Sequence, residues 1–142
     1  MNSEFYMYIS STDSVNTFPT NTASDFSVLL PDRIRFNPIE SWNCGLVELI
    51  IPNELNEPAF LCSNFCQPSI VGERRLPVLR RIIDLHVDPS HVNYVPIRCS
   101  ELAVLQMYLT DSTGQKLSLT TGTTYCTLHF VQNEGPASSN RS

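Results

Sequence analysis

Five cysteines, three histidines, a carboxylate inside an apolar run and a knot of arginines are the residues of this chain that could do chemistry. Cys62 and Cys66 lie four apart, which is not a CxxC pair, and zinc would need two further ligands from Cys99, His86 or His91. Their spacings match no standard zinc module, so neither a metal nor a cofactor is expected. The cysteine count is odd and the compartment is read as reducing, so free buried thiols are expected. Glu48 breaks the best apolar run, residues 45–52. A carboxylate there needs an arginine or a backbone donor. It is read either as a partly wet residue near a strand end or as an acid in a site. His86 and His91 flank a turn and read as surface residues, and His129 reads as a satisfied histidine within a sheet. Arg74, Arg75, Arg80 and Arg81 are four of the nine basic residues and form either a solvated strand edge or a contact for an acidic partner. No GxSxG, Walker loop, GxGxxG or HExxH occurs, and the chain is not expected to be an enzyme.

The charge balance argues in the same direction. Net charge is −5 and Lys116 is the sole lysine, so direct nucleic-acid binding is not expected as the main role. Charged residues make up only 16%, below the usual quarter. A surface so poor in charge fits one covered by other subunits, since interface cores are depleted in charge. A sandwich rich in surface Ser, Thr and Asn reads the same way. Met1-Asn2-Ser3-Glu4 lacks the positive start of a signal peptide, and no cleavable apolar segment follows. Residues 45–52 are too few to cross a bilayer, so synthesis in the cytosol and no membrane role are expected.

The elements that must position these residues read as strands. Residues 4–10 are aromatic and β-branched, and residues 23–30 alternate through Phe26, Val28 and Leu30 until Pro31-Asp32 ends them. Between these two segments, Pro19 fixes a loop and Asn21 holds its turn. Residues 33–36 form a short strand. Residues 42–51 form a central strand, with Trp42, Cys44, Leu46, Glu48 and Ile50 on one face and Gly45, Val47, Leu49 and Ile51 on the other. Residues 53–73 read as a long surface connection with a short strand near 59–62. Residues 76–87 fit helix or strand, with β-branched alternation favouring strand. Pro96 interrupts the short strand at residues 94–98, which reads as an edge strand or an irregular crossing. Residues 102–110, then Asp111 to Gly114 as a hairpin turn, then residues 116–119 and 124–131 complete the series. This is an all-β chain: a single β-sandwich of about eight strands, jelly-roll-like, spanning residues 1–134 with a polar tail at 135–142.

Two blocks carry a resemblance. The first is Phe18-Pro19, Asn21-Thr22, Phe26, Leu30-Pro31, Ile34, then Trp42 with Gly45-Leu46 and Glu48. The second is Tyr94-Val95-Pro96-Ile97, Tyr108-Leu109-Thr110-Asp111 with Gly114, then Thr127-Leu128-His129-Phe130. In that order they resemble proteins of Polinton/Maverick elements and of the related adintoviruses and adomaviruses. Asn43-Cys44 departs from the Glu-Val common there, and the stretch between Pro52 and Leu76 is much shorter than in many members. The resemblance implies a capsid component of a non-enveloped double-stranded DNA virus or virus-like element. The chain's size points to a minor capsid or penton-like vertex protein rather than a double-jelly-roll major capsid protein. Implied partners are copies of the chain itself, as a pentamer, and other capsid proteins. The implied location is the virion, with assembly in the host nucleus after cytoplasmic synthesis. A viral spike or receptor-binding sandwich module is the alternative, and a small β-fold enzyme a third.

Overall fold

The computed structural model describes residues 4–37, 40–52, 55, 57–83, 86, 87, 90 and 92–132. His91, the turn residues Pro38, Asp88 and Pro89, and the expected tail at 135–142 lie outside them. Eleven strands follow in order: β1 (Glu4–Ser10), β2 (Asp25–Arg35), β3 (Trp42–Ile50), β4 (Ala59–Ser63), β5 (Ser69–Val71), β6 (Arg74–Leu76), β7 (Val78–Ile82), β8 (His86–Val87), β9 (Tyr94–Pro96), β10 (Glu101–Thr110) and β11 (Tyr125–Gln132).

Antiparallel pairing arranges them as two main sheets. One runs β1-β11-β3-β8, with β9 also on β3, and the other runs β2-β10-β4-β7. β8 meets Leu49 and Ile50 while β9 meets Asn43 to Gly45, so the two serve as one interrupted strand along the same edge. β5 and β6 form a separate hairpin. With that hairpin set aside and β8 and β9 merged, eight strands form two facing four-stranded sheets in the order of a jelly roll, the chain changing sheet at each step except from β4 to β7. The expected sandwich is therefore present, and the three extra strands are the hairpin pair and the split edge.

Period-two patterning explains most of the packing. Phe5, Met7 and Ile9 on β1 turn inward with Cys126, Leu128 and Phe130 on β11, while Phe26 and Val28 on β2 face Leu105, Met107 and Leu109 on β10. One apolar cluster joins the two sheets. Five aromatic rings fill one part of it. Phe130 stacks on Phe5 at 4.8 Å and lies 5.2 Å from Phe65 and 5.9 Å from Phe36, and half-buried Trp42 sits against Phe5 and Phe36.

Several expectations are corrected. Pro31 does not end a strand, because β2 runs through it to Arg35. Among the described strands it pairs with β10 alone, and the register slips where Leu102 faces Ile34 but Val104 faces Leu29. Pro31 sits in that irregularity on an edge strand, where no ladder donor is missed. Residues 53–73 are not a surface connection, since β4 lies between β10 and β7 and Leu61, Cys62, Phe65 and Cys66 are buried. The short strand expected near 59–62 is present as β4, and it lies in the core rather than in a surface connection. Within 76–87 the strand reading favoured by alternation holds, with the end of β6, then β7 and β8. Residues 116–119 are not a strand. After one bridge from Thr110 to Lys116, the Ser24 hydroxyl donates to the Leu117 carbonyl (2.9 Å) and accepts from the Leu119 amide (2.8 Å). A side chain takes the place of a ladder there.

The turn at Asp111 is as expected. Its carboxylate accepts from the Thr113 amide and hydroxyl and the Gln115 amide, which hold it below the usual carboxylate range, and Gly114 supplies φ +95°. Asn21 does more than hold its own turn. Its amide donates to the Ser27 carbonyl (2.9 Å) and accepts from the Ser27 amide (3.0 Å), acting as an extra pairing partner for β2.

All five thiols are free, and four are buried. Burial pushes the Cys44, Cys66 and Cys126 thiols well up, and pushes Cys62 up to about 11 despite a bond from Tyr108. A raised thiol favours the protonated folded state. The resulting stability is complete below the unfolded thiol value of 9.0 and is lost as pH rises through about 11. Urea unfolding midpoints should thus fall steadily from pH 8.5 to 10.5, with a shallower fall in Cys62→Ala. A flat profile would contradict the buried, protonated thiols.

Candidate functional site

The exposed face of the first sheet gathers the residues of greatest chemical interest. On β1 the alternation turns Glu4, Tyr6 and Tyr8 outward, and on β11 it turns out Tyr125, Thr127 and His129. Four of the five tyrosines, Tyr6, Tyr8, Tyr94 and Tyr125, stand exposed on this one face, joined by Ile50.

Strand register places them in rows. Tyr6 faces His129, His129 faces Gly45, and Gly45 faces Tyr94, so one row crosses β1, β11, β3 and β9. The missing side chain at Gly45 leaves a gap in that row. Tyr94 reaches across it, and its hydroxyl lies 2.7 Å from His129 Nδ1. On the other side His129 Nε2 lies 2.7 Å from Glu4 Oε1. Tyr6 stacks on the imidazole at 4.5 Å, and His129 is buried although the face is open. Neutral imidazole satisfies both contacts when Nε2–H donates to Glu4 and the Tyr94 hydroxyl donates to Nδ1. His129 is thus a satisfied sheet histidine, as its sequence context indicated.

A tyrosine, a histidine and a carboxylate in series share the linear order of a nucleophile, base and orienting group. The surroundings oppose that chemistry. Partial burial, then Tyr6, Cys44 and Glu4, raise the Tyr94 phenol above its usual value, which favours the neutral hydroxyl. The arrangement instead clamps β1, β11 and β9 together through their side chains.

Glu48 stands on the same face for a reason that period-two counting misses. Thr127 faces Glu48 but Leu128 faces Leu46, so Val47 is an extra residue, a β-bulge. The bulge shifts the phase of β3. Cys44, Leu46, Leu49 and Ile51 point into the core, while Glu48 and Ile50 join Gly45 outside. The expected face assignment of residues 48–51 is therefore reversed. Glu48 contributes to a shallow slot of about 360 Å³ whose walls include Tyr8 and Tyr125, with Asp13 at its rim.

The four arginines do not act as one cluster. Arg74 donates to the Gly114 carbonyl (3.2 Å) and Arg80 to the Leu46 carbonyl (3.4 Å). Arg81 lies over the Phe60 ring at 5.9 Å, and Arg75 stands exposed opposite Ile70 on the β5–β6 hairpin. A second cleft, of about 410 Å³, opens beside Trp42, Asn37, Asn43, Pro96, Arg98 and Cys99.

Phe18 is half-buried, Pro19 is exposed, and Phe26 and Phe130 are core residues. Pro96 closes the short edge strand β9. Among the described residues no group of three His, Cys, Asp or Glu could hold a metal ion. The link from Glu4 through His129 to Tyr94 was not legible in the sequence, because its ends lie far from its centre along the chain. Its one trace was the alternation that puts Tyr6 and Tyr8 on the same side as Glu4. No family model matches the chain, and no curated protein matches it.

Proposed function

We propose that the protein is a structural subunit that works by self-assembly: a minor capsid or penton-like vertex component of a non-enveloped double-stranded DNA virus or virus-like element. The observation that carries this is the exposed tyrosine face on a jelly-roll sandwich. Tyrosines have an apolar body and a polar tip and are enriched at protein interfaces, whereas four of them gathered on one open face of a monomer would be costly to leave in water. The low charge content supports the same reading. The viral context rests on the resemblance of the two sequence blocks, and with it the pentamer, the other capsid proteins as partners and the virion as location.

The test is the solution mass measured by light scattering across a wide concentration range, with negative-stain imaging of the largest species. Closed rings, about five copies each, are expected from cyclic packing. A strict monomer at high concentration would overturn self-assembly.

A second reading, a viral spike or receptor-binding module, is favoured by the cleft beside Trp42, which joins an aromatic ring to two asparagines and Arg98. Trp42 is the only tryptophan, so its emission would report an occupant of that cleft directly. Under this reading the protein stays monomeric or trimeric and Trp42 emission shifts on ligand addition.

A further inference from the structure

We propose that the tyrosine face of one copy receives the arginine-bearing β5–β7 edge of the next copy, making a head-to-tail contact. This rests on the self-assembly reading and names the two surfaces that would meet.

The two surfaces differ in the sign of their charge. β1, β3, β8, β9 and β11 carry Glu4 and Glu48 and not one lysine or arginine. Asp13 adds a third carboxylate at the slot between Tyr8 and Tyr125. β5, β6 and β7 carry Arg74, Arg75, Arg80 and Arg81, against one acidic residue, Glu73, in the turn between β5 and β6. Exposed apolar side chains stand on both surfaces, Ile50 among the tyrosines and Ile70 and Ile83 near the arginines, while Val15 and Leu29 are exposed elsewhere.

Arg74, Arg75 and Arg81 are exposed, and of these Arg74 is held by its bond to the Gly114 carbonyl, which leaves Arg75 and Arg81 as the candidates for contact. Each is suited to a slot with tyrosine walls and carboxylates, because a guanidinium stacks on an aromatic ring while its N–H groups meet acid oxygens. Ile70 faces Arg75 across the hairpin and would add apolar contact to Tyr8 or Tyr125.

The second copy is favoured as occupant by charge complementarity within a single sequence. The face belongs to the first sheet, and Arg81 lies on the last strand of the second sheet beside outward-facing Phe60. A molecule cannot fold one surface onto the other, so each copy offers an edge and a face to two different neighbours. Repetition of such a heterologous contact closes a ring or extends a filament.

The experiment uses two full-length variants, Tyr8→Ala/Tyr125→Ala and Arg75→Glu/Arg81→Glu. All four side chains are exposed, and unchanged thermal melting is the control for folding. Sedimentation velocity is run on wild type, on each variant and on their mixture. Wild type is expected to form the ring. Each variant alone is expected to be a monomer, its association weakened about thirtyfold or more, the loss typical of removing a hot spot. The mixture is expected to stop at a one-to-one dimer, because one intact face can meet one intact edge and nothing further. That product is specific to a head-to-tail contact. If wild type assembles and the variants assemble equally well, the assignment of surfaces fails while self-assembly stands. If both variants are monomeric but their mixture gives no dimer, the face and the edge do not meet and the proposal is overturned. If wild type is monomeric throughout, self-assembly itself is wrong and the proposal fails with it.

Discussion

Phe130→Ala is expected to destabilise the protein by about 3–5 kcal/mol, the cost of truncating a large buried aromatic. The ring is fully buried, with Phe5 stacked on one side and Phe36 and Phe65 against it. It also joins the layers: β11 supplies it to the first sheet, while Phe65 follows β4 of the second. Its removal leaves a cavity between two sheets whose backbones are held by their ladders and cannot collapse to fill it. A domain of this size has about 5–15 kcal/mol in total, so about a fifth or more of its stability would go. Urea denaturation followed through the single tryptophan reads this directly, since Trp42 packs on Phe5 and Phe36 in the same cluster. A change below about 1 kcal/mol would show that the aromatic cluster does not join the sheets as described.

Gly45→Ala is expected to have the second largest effect, and a more local one. A Cβ at this position would lie 2.5 Å from Val92 Cγ1 and 2.9 Å from the Tyr94 ring. Both are closer than carbon atoms pack, so β9 and the segment before it must move away from β3. Overpacking of this kind costs about 1–3 kcal/mol. The movement separates the Tyr94 hydroxyl from His129 Nδ1 and leaves a buried imidazole nitrogen without its partner. The expected result is a modest loss of thermal stability together with a chemical-shift change at His129 as large as that caused by Tyr94→Phe. If Gly45→Ala left His129 unperturbed, the gap in the row would not be what lets Tyr94 cross β3. The glycine of the Gly45-Leu46-x-Glu48 block thus has a physical reason that does not depend on any relative.

The particular residues show where the sequence was legible. Residues 4–10, rich in aromatic and β-branched side chains, match β1 from end to end. The hairpin turn at Asp111 announced itself because Asp and Gly satisfy it locally. Phase was lost where a residue was inserted into a ladder. Val47 reverses the expected placement of Glu48, Leu49, Ile50 and Ile51, and the slip opposite Ala103 lets β2 continue through Pro31. A bulge depends on the partner strand, which local sequence does not display. The strand β4 was legible near 59–62 but its burial was not, for a related reason: with five residues and flanking punctuation, that burial comes from the neighbours β10 and β7 rather than from its own pattern.

Alternation, turn chemistry and the scarcity of charge determined by themselves that this chain is an all-β sandwich with free thiols in its core, because each is settled by residues close along the chain. Only the tertiary structure decided what that sandwich presents to a partner. It set Glu4, His129 and Tyr94 in one row, turned Glu48 outward, collected four tyrosines on one face and divided the arginines between internal bonds and an exposed edge. Those relations depend on register across strands distant in sequence. A shift of one residue would send each of these side chains to the opposite face.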